Sequence, residues 1–98
     1  MNDIRHIHQD HEPKVIWTTE ICSANIISVK AGTNGYCGGD TGHGSRTYFS
    51  IEDLGGTDMT VKTSSTGFEV FLGGDCELAT IIEALKFITK VLEDESKN

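Results

Sequence analysis

The sequence predicts an α+β fold: an antiparallel β-meander of four to six strands with one C-terminal α-helix packed on one face. Three observations predict it. Short runs between residues 15 and 74 alternate apolar and polar side chains, the period of strands buried on one face. Asn34-Gly35, Gly55-Gly56, Ser64-Ser65-Thr66-Gly67 and Gly73-Gly74 punctuate those runs with turn residues. Beyond residue 75 the apolar spacing changes to three and four, which is one side of a helix. Strands followed by a lone helix fit a layer of helix on antiparallel sheet rather than a βαβ fold. The 98 residues make one domain.

Residues 1–13 form a polar N-terminal arm or a short edge strand. Ile4-Arg5-His6-Ile7-His8 alternates weakly. The spacing of His6, His8 and His11 suits a transition metal, but a solvated terminal arm explains the same residues, and no metal site is assigned. The sheet occupies residues 15–74. Val15, Trp17, Thr19 and Ile21 alternate with Ile16, Thr18 and Glu20, and Ile26-Ile27-Ser28-Val29 follows a polar break. Asn34-Gly35 is a strong hairpin signal, because a type I′ turn needs positive φ at both central residues. Tyr36-Cys37 is expected to begin the return strand.

Thr47, Phe49 and Ile51 alternate with Tyr48, Ser50 and Glu52. Met59, Val61 and Thr63 then alternate with Thr60 and Lys62, and Phe68, Val70 and Leu72 with Glu69 and Phe71. The helix is expected over residues 76–93, roughly 27 Å at ~1.5 Å per residue. Its apolar stripe is Leu78, Ile81, Ile82, Leu85, Ile88 and Leu92, with Phe87 and Val91 beside it. Asp75 is expected as the N-cap, and Glu77 suits the positive end of the helix dipole. One helix covers only part of the sheet. Ile16, Ile26, Tyr48 and Phe71 fall on the other face, so a second copy of the chain is expected to cover it.

Composition narrows the function. A net charge of −7 with eight scattered Lys and Arg excludes the basic stripe of a nucleic-acid polymer binder. Nothing approaches the ~18 apolar residues of a membrane span. The N-terminus carries no apolar signal-peptide core, so a cytoplasmic location is expected. Cys22, Cys37 and Cys76 are widely spaced and lack a CxxC pair, so they are expected as buried thiols acting as small hydrophobes rather than zinc ligands or disulfides. No cofactor is expected.

The most distinctive segment is Gly38-Gly39-Asp40-Thr41-Gly42-His43-Gly44-Ser45-Arg46-Thr47. Consecutive glycines in mixed conformations aim successive N–H groups inward and form an anion-binding nest. Ser45 and Thr47 add hydroxyl donors, and Arg46 adds a planar fork for phosphate or carboxylate. His43 donates to an anion when protonated or stacks on a base when neutral. Asp40 accepts from a ribose hydroxyl or a base amino group. Thr57 and Asp58, after Gly55-Gly56, are expected to join the same ligand. The candidate ligand-binding set is therefore Gly39, Asp40, Gly42, His43, Gly44, Ser45, Arg46, Thr47, Thr57 and Asp58, with Trp17, Tyr36 or Tyr48 available to stack a base. The block is neither a Walker A loop nor a dinucleotide fingerprint, because a strand rather than a helix follows it. A wide β-bulge or hairpin loop explains part of the same glycine content.

Catalysis by this segment would need Cys37, Asp40 and His43 held as nucleophile, orienter and base. A glycine-rich loop supports such geometry poorly. Asp75-Cys76 sits where a helix start lowers a thiol pKa, but no base accompanies it. A small hydrolase is therefore the lesser expectation, and no catalytic residue is assigned.

The glycine block, followed by Glu52-Asp53-Leu54-Gly55-Gly56-Thr57-Asp58-Met59, resembles short proteins encoded by phages and prophages. The likeness covers about a fifth of the chain. It implies a role against host defence. One form of that role is an oligomeric sponge binding a cyclic nucleotide or cyclic ADP-ribose signal. Another is an acidic inhibitor, of the anti-CRISPR type, gripping a defence protein directly. The resemblance carries no residue-level binding motif.

Overall fold

The computed structural model describes residues 3–6, 13, 15–22, 25–39 and 44–97, with residues 3–6 described in backbone only. Six strands and one helix follow in order: β1 (Asp3–His6), β2 (Val15–Cys22), β3 (Ile26–Thr33), β4 (Thr47–Gly55), β5 (Met59–Thr63), β6 (Phe68–Leu72) and α1 (Asp75–Glu95). All pairings are antiparallel. The α+β architecture is as expected, with a four-stranded antiparallel meander at its centre. β1-β2-β3-β4 make a four-stranded sheet, and β5-β6 make a separate hairpin. The polar arm contributes β1, which pairs with β2 from Asp3↔Thr18 to His6↔Val15. His8 and His11 lie outside the described residues.

Register decides which side chains meet the helix. Trp17↔Ala31, Thr19↔Val29 and Ile21↔Ile27 align across β2 and β3, and Val29↔Ile51 aligns β3 with β4. These odd-numbered positions share one face. Ile27, Val29 and Ala31 of that face join Ala84, Ile88 and Val91 of α1 in the core, with Trp17, Ile21, Ile51, Ile81, Phe87 and Leu92 around them. Val29, Ala31 and Ala84 are wholly buried, and the two alanines let the helix backbone come close to the sheet. Gly32 serves the opposite face: a Cβ there would run into the Val15 carbonyl and the Ile16 backbone.

The helix is rotated from the expected stripe. Its buried positions are Glu77, Thr80, Ala84, Ile88 and Val91. Leu78, Ile82 and Leu85 are exposed. The apolar arc is wider than one sheet face can cover, so periodicity alone could not choose its buried half. The N-cap is Gly74, at φ 105, with no side-chain cap, and Asp75 is already helical. The capping expectation for Asp75 is thus corrected.

A polar cluster closes this end of the molecule. Asn25, 1% exposed, donates from Nδ2 to Thr57 Oγ1 at 3.1 Å and accepts at Oδ1 from Thr80 Oγ1 at 3.0 Å. The Thr80 hydroxyl also lies 2.7 Å from the Cys76 carbonyl. Buried Glu77 accepts the Asp58 N–H at 3.1 Å, and the Asp58 carbonyl accepts from Gly73 N at 3.0 Å. The β2–β3 turn, the β4–β5 connection and the start of α1 are therefore tied at one point.

Candidate functional site

The other end of β4 carries the glycine block. The Asn34 N–H donates to the Arg46 carbonyl at 3.1 Å, so the β3–β4 ladder runs one pair beyond Thr33↔Thr47. The described residues between them, 34–39 and 44–46, lie outside the strands as loop. Asn34-Gly35 does not close a two-residue hairpin, and Tyr36-Cys37 is loop rather than return strand. The block that follows supplies the reason: the glycines favour an excursion over continued pairing. Gly35 and Gly38 adopt φ of 81 and 82, backbone that other residues rarely take.

Hydroxyls organise the foot of the loop. Thr33 Oγ1 and Thr47 Oγ1 lie 3.0 Å apart, and Thr33 Oγ1 accepts the Gly35 N–H at 3.1 Å. Arg46 is half-buried. Its Nη1 donates to the Gly44 and Ser45 carbonyls at 3.4 Å each, which holds the guanidinium beside its own loop. Beneath lies a pocket of about 260 Å³, where Thr33, Gly35, Tyr36, Ser45 and Thr47 meet Leu92, Glu93 and Ser96 from the end of α1. Tyr36 is 87% exposed and stands at the rim as a free ring face.

This pocket is electrically divided. The C-terminal end of α1 presents carbonyls and a negative dipole end, and the Glu93 carboxylate adds to it. That wall suits hydroxyl and amino donors and repels an anion. Arg46, between Ser45 and Thr47 but outside the lining, carries the opposite charge next to the pocket. A ligand carrying a phosphate at one end and hydroxyls or an amino group at the other matches both.

Of the candidate ligand-binding residues, Ser45 and Thr47 line this pocket, Gly44 and Arg46 adjoin it, and Gly39 lies on the loop. Asp40, Gly42 and His43 lie outside the described residues. Thr57 and Asp58 are elsewhere. They follow β4, whose nine residues span roughly 26 Å at ~3.3 Å per residue, so one protomer does not bring them to Ser45 and Thr47. Thr57 instead takes its place in the Asn25 cluster. Tyr48 lies on the sheet face away from α1, and Trp17 packs at the core margin. Leu92, Glu93 and Ser96 were not among the expected site residues, because nothing in a helical repeat says which loop its far end will meet.

The nucleophile candidates find little support. Cys22, Cys37 and Cys76 are exposed free thiols, not the buried ones expected, and the Cys37 thiol contacts the Gly35 carbonyl at 3.5 Å. Among the described residues no group of three His, Cys, Asp or Glu side chains gathers to hold a metal ion. No described helix is long and apolar enough to cross a membrane.

A larger apolar groove, about 430 Å³, runs between β4 and the outlying hairpin. Phe49 and Phe68 meet across it, ring centres 6.1 Å apart at 55°. Comparison of the chain with family models, curated proteins and solved structures gives no match in any of the three.

Proposed function

We propose that this chain is a non-enzymatic binding protein that sequesters a small nucleotide-type anion at the foot of loop 34–46. The pocket between Arg46 and Glu93 carries this reading. The hydroxyls of Thr33, Ser45, Thr47 and Ser96, an exposed tyrosine ring and a carboxylate line a volume fit for a ribose and its neighbours, and the Arg46 guanidinium sits beside the same loop. Phosphate faces Arg46 and the loop amides, ribose hydroxyls face Glu93 and Ser96, and Tyr36 stacks the base. The role we assign is the capture of a signalling nucleotide in the cytoplasm, by an oligomer, as a phage-encoded counter to host defence.

Calorimetric titration with ADP, a probe carrying diphosphate, ribose and base, tests this. Wild-type protein releases heat on binding. Arg46→Ala loses about 1.5–3 kcal/mol of binding free energy, the worth of hydrogen bonds to a charged group, or roughly tenfold to a hundredfold in Kd. Unchanged affinity in Arg46→Ala, or no binding of ADP or of a cyclic nucleotide by the wild type, contradicts the proposal.

A second function, inhibition of a basic nucleic-acid-handling defence protein, is favoured by the net charge of −7 and the exposed apolar hairpin. Its signature is a complex that weakens as salt rises.

A further inference from the structure

The hairpin β5-β6 poses a physical problem. A two-stranded hairpin is marginal alone in water. Residues 60–71 are all exposed, and no other element contacts β5 or β6 extensively. One side of the hairpin is nonetheless apolar: Met59, Val61, Phe68, Val70 and Leu72 share a face by register. That face looks onto the groove along β4.

β4 is itself an edge strand, with one row of backbone donors and acceptors left unpaired by the sheet. Natural edges are guarded by lysine, proline or inward charge. Thr47-Tyr48-Phe49-Ser50-Ile51 has none of these; the strand's one inward charge, Asp53 opposite Ile27, comes only beyond them.

We propose that β4 pairs antiparallel with β4 of a second copy across a two-fold axis at Ile51, and that the pairing completes each ligand pocket with residues 55–58 of the other copy. The second clause rests on the nucleotide-binding function proposed above. The register follows from length: strand Thr47–Gly55 pairs over its full extent only when centred on Ile51. It also follows from charge. Glu52 of each copy then faces the partner's Ser50, and Asp53 faces the partner's Phe49, so no two acids oppose one another. The contact is isologous, as a closed dimer requires.

Area supports the same occupant. Phe49, Val61, Phe68 and Val70 are each 37–59% exposed. Leu78 and Leu85, similarly exposed, lie seven apart on the helix line that ends at Leu92, and Leu92 lines the pocket beside Thr47. Six such side chains present on the order of 500 Å² of apolar surface, which is what a standard interface of ~800 Å² per partner contains when ~60% of it is apolar. Each hairpin would lie over the partner's β4 and gain the cover it lacks at home.

The pairing also accounts for the separation of the two glycine turns. Continued one step past the strand, the register sets Arg46 against the partner's Gly56 and Ser45 against the partner's Thr57. The partner's Asp58 then stands beside Gly44. Asp58, distant within one chain, joins the loop across the axis, while Thr57 keeps its hydroxyl on Asn25.

Sedimentation of the full chain without ligand is the test, at low and high salt, on wild type, Ser50→Glu and Ser50→Lys. The wild type sediments as a dimer, and more completely at high salt, because two chains of charge −7 repel. Ser50→Glu faces the partner's Glu52 and weakens the dimer at least tenfold; it also faces Lys30 in its own sheet, which preserves the fold. Ser50→Lys faces the partner's Glu52 and stays dimeric. A monomeric wild type, or equal behaviour of the two variants, overturns the pairing. A dimer that ignores ADP retires the ligand and keeps the pairing, and a monomer that binds ADP does the reverse. For the shared pocket, Arg46→Ala and Asp58→Asn proteins are mixed and titrated with ADP. Mixed dimers hold one intact pocket and recover binding that neither parent shows; no recovery overturns the sharing.

Discussion

The two ends of β4 are built on opposite plans. Past Gly55, the chain enters a knot of buried polar groups in which Asn25, Thr57, Glu77 and Thr80 are each hydrogen-bonded. Before Thr47, it leaves a glycine-rich segment whose Tyr36 and Ser45 face solvent and a pocket. A buried polar group without a partner carries a desolvation penalty, so the first end can hold only one arrangement. The second end keeps its polar groups within reach of a ligand. Rigidity at one end and open chemistry at the other make β4 a spacer between an anchor and a site.

Substitutions should separate these ends. The largest effect is expected at the anchor. Asn25→Ala removes a donor and an acceptor at once, leaving Thr57 Oγ1 without its donor and Thr80 with the Cys76 carbonyl alone, which costs about 2–4 kcal/mol of unfolding free energy, measured by urea denaturation. Thr80→Val keeps the shape and strands only Asn25 Oδ1, so about 1–3 kcal/mol is lost. Glu77→Ala leaves the Asp58 N–H without its acceptor and falls in the same range, whereas Glu77→Gln retains an oxygen and recovers most of it.

At the site end the order of readouts reverses. Tyr36→Ala should leave stability within about 0.5 kcal/mol, yet weaken ADP binding by the ~1–3 kcal/mol of one stacked base. A variant that unfolded the protein as readily as Asn25→Ala would erase the contrast between the ends. The smallest effect is expected from the Lys90–Asp94 pair, 2.9 Å apart on the exposed side of α1. The Lys90 hydrogen bond and charge hold the Asp94 carboxyl below its ordinary range, and Asp94 holds Lys90 above its own. Both shifts favour the charged forms in the folded chain. The small contribution is therefore present at neutral pH, lost as acid protonates Asp94, and lost again in strong base as Lys90 deprotonates. Asp94→Asn should flatten that dependence with little change in melting temperature.

Much of this fold is legible in the residues. The alternations over 47–52, 59–63 and 68–72 correspond to strands, and the change of period marks the helix to within two residues at either end. What was not legible is how elements meet. The run Met59–Leu72 alternates as well as any strand here, but alternation does not say whether a strand extends a sheet or stands apart. Leu78, Ile82 and Leu85 fit a buried stripe as well as Thr80, Ala84 and Val91 do, because a broad apolar arc leaves the rotation open. The site was half legible. Glycine density marked the loop, while Glu93 and Ser96 arrive from 50 residues away, and the Asn25 cluster gave no local signal because its members are joined only by folding.

Native mass spectrometry of the purified chain tests the central claim most directly, because subunit number and a retained ligand appear in one spectrum. The account predicts a dimer whose mass exceeds two chains by that of one nucleotide-sized anion for each filled pocket, two when both are filled. A bare monomer, at concentrations where an interface of this size should be filled, would contradict it.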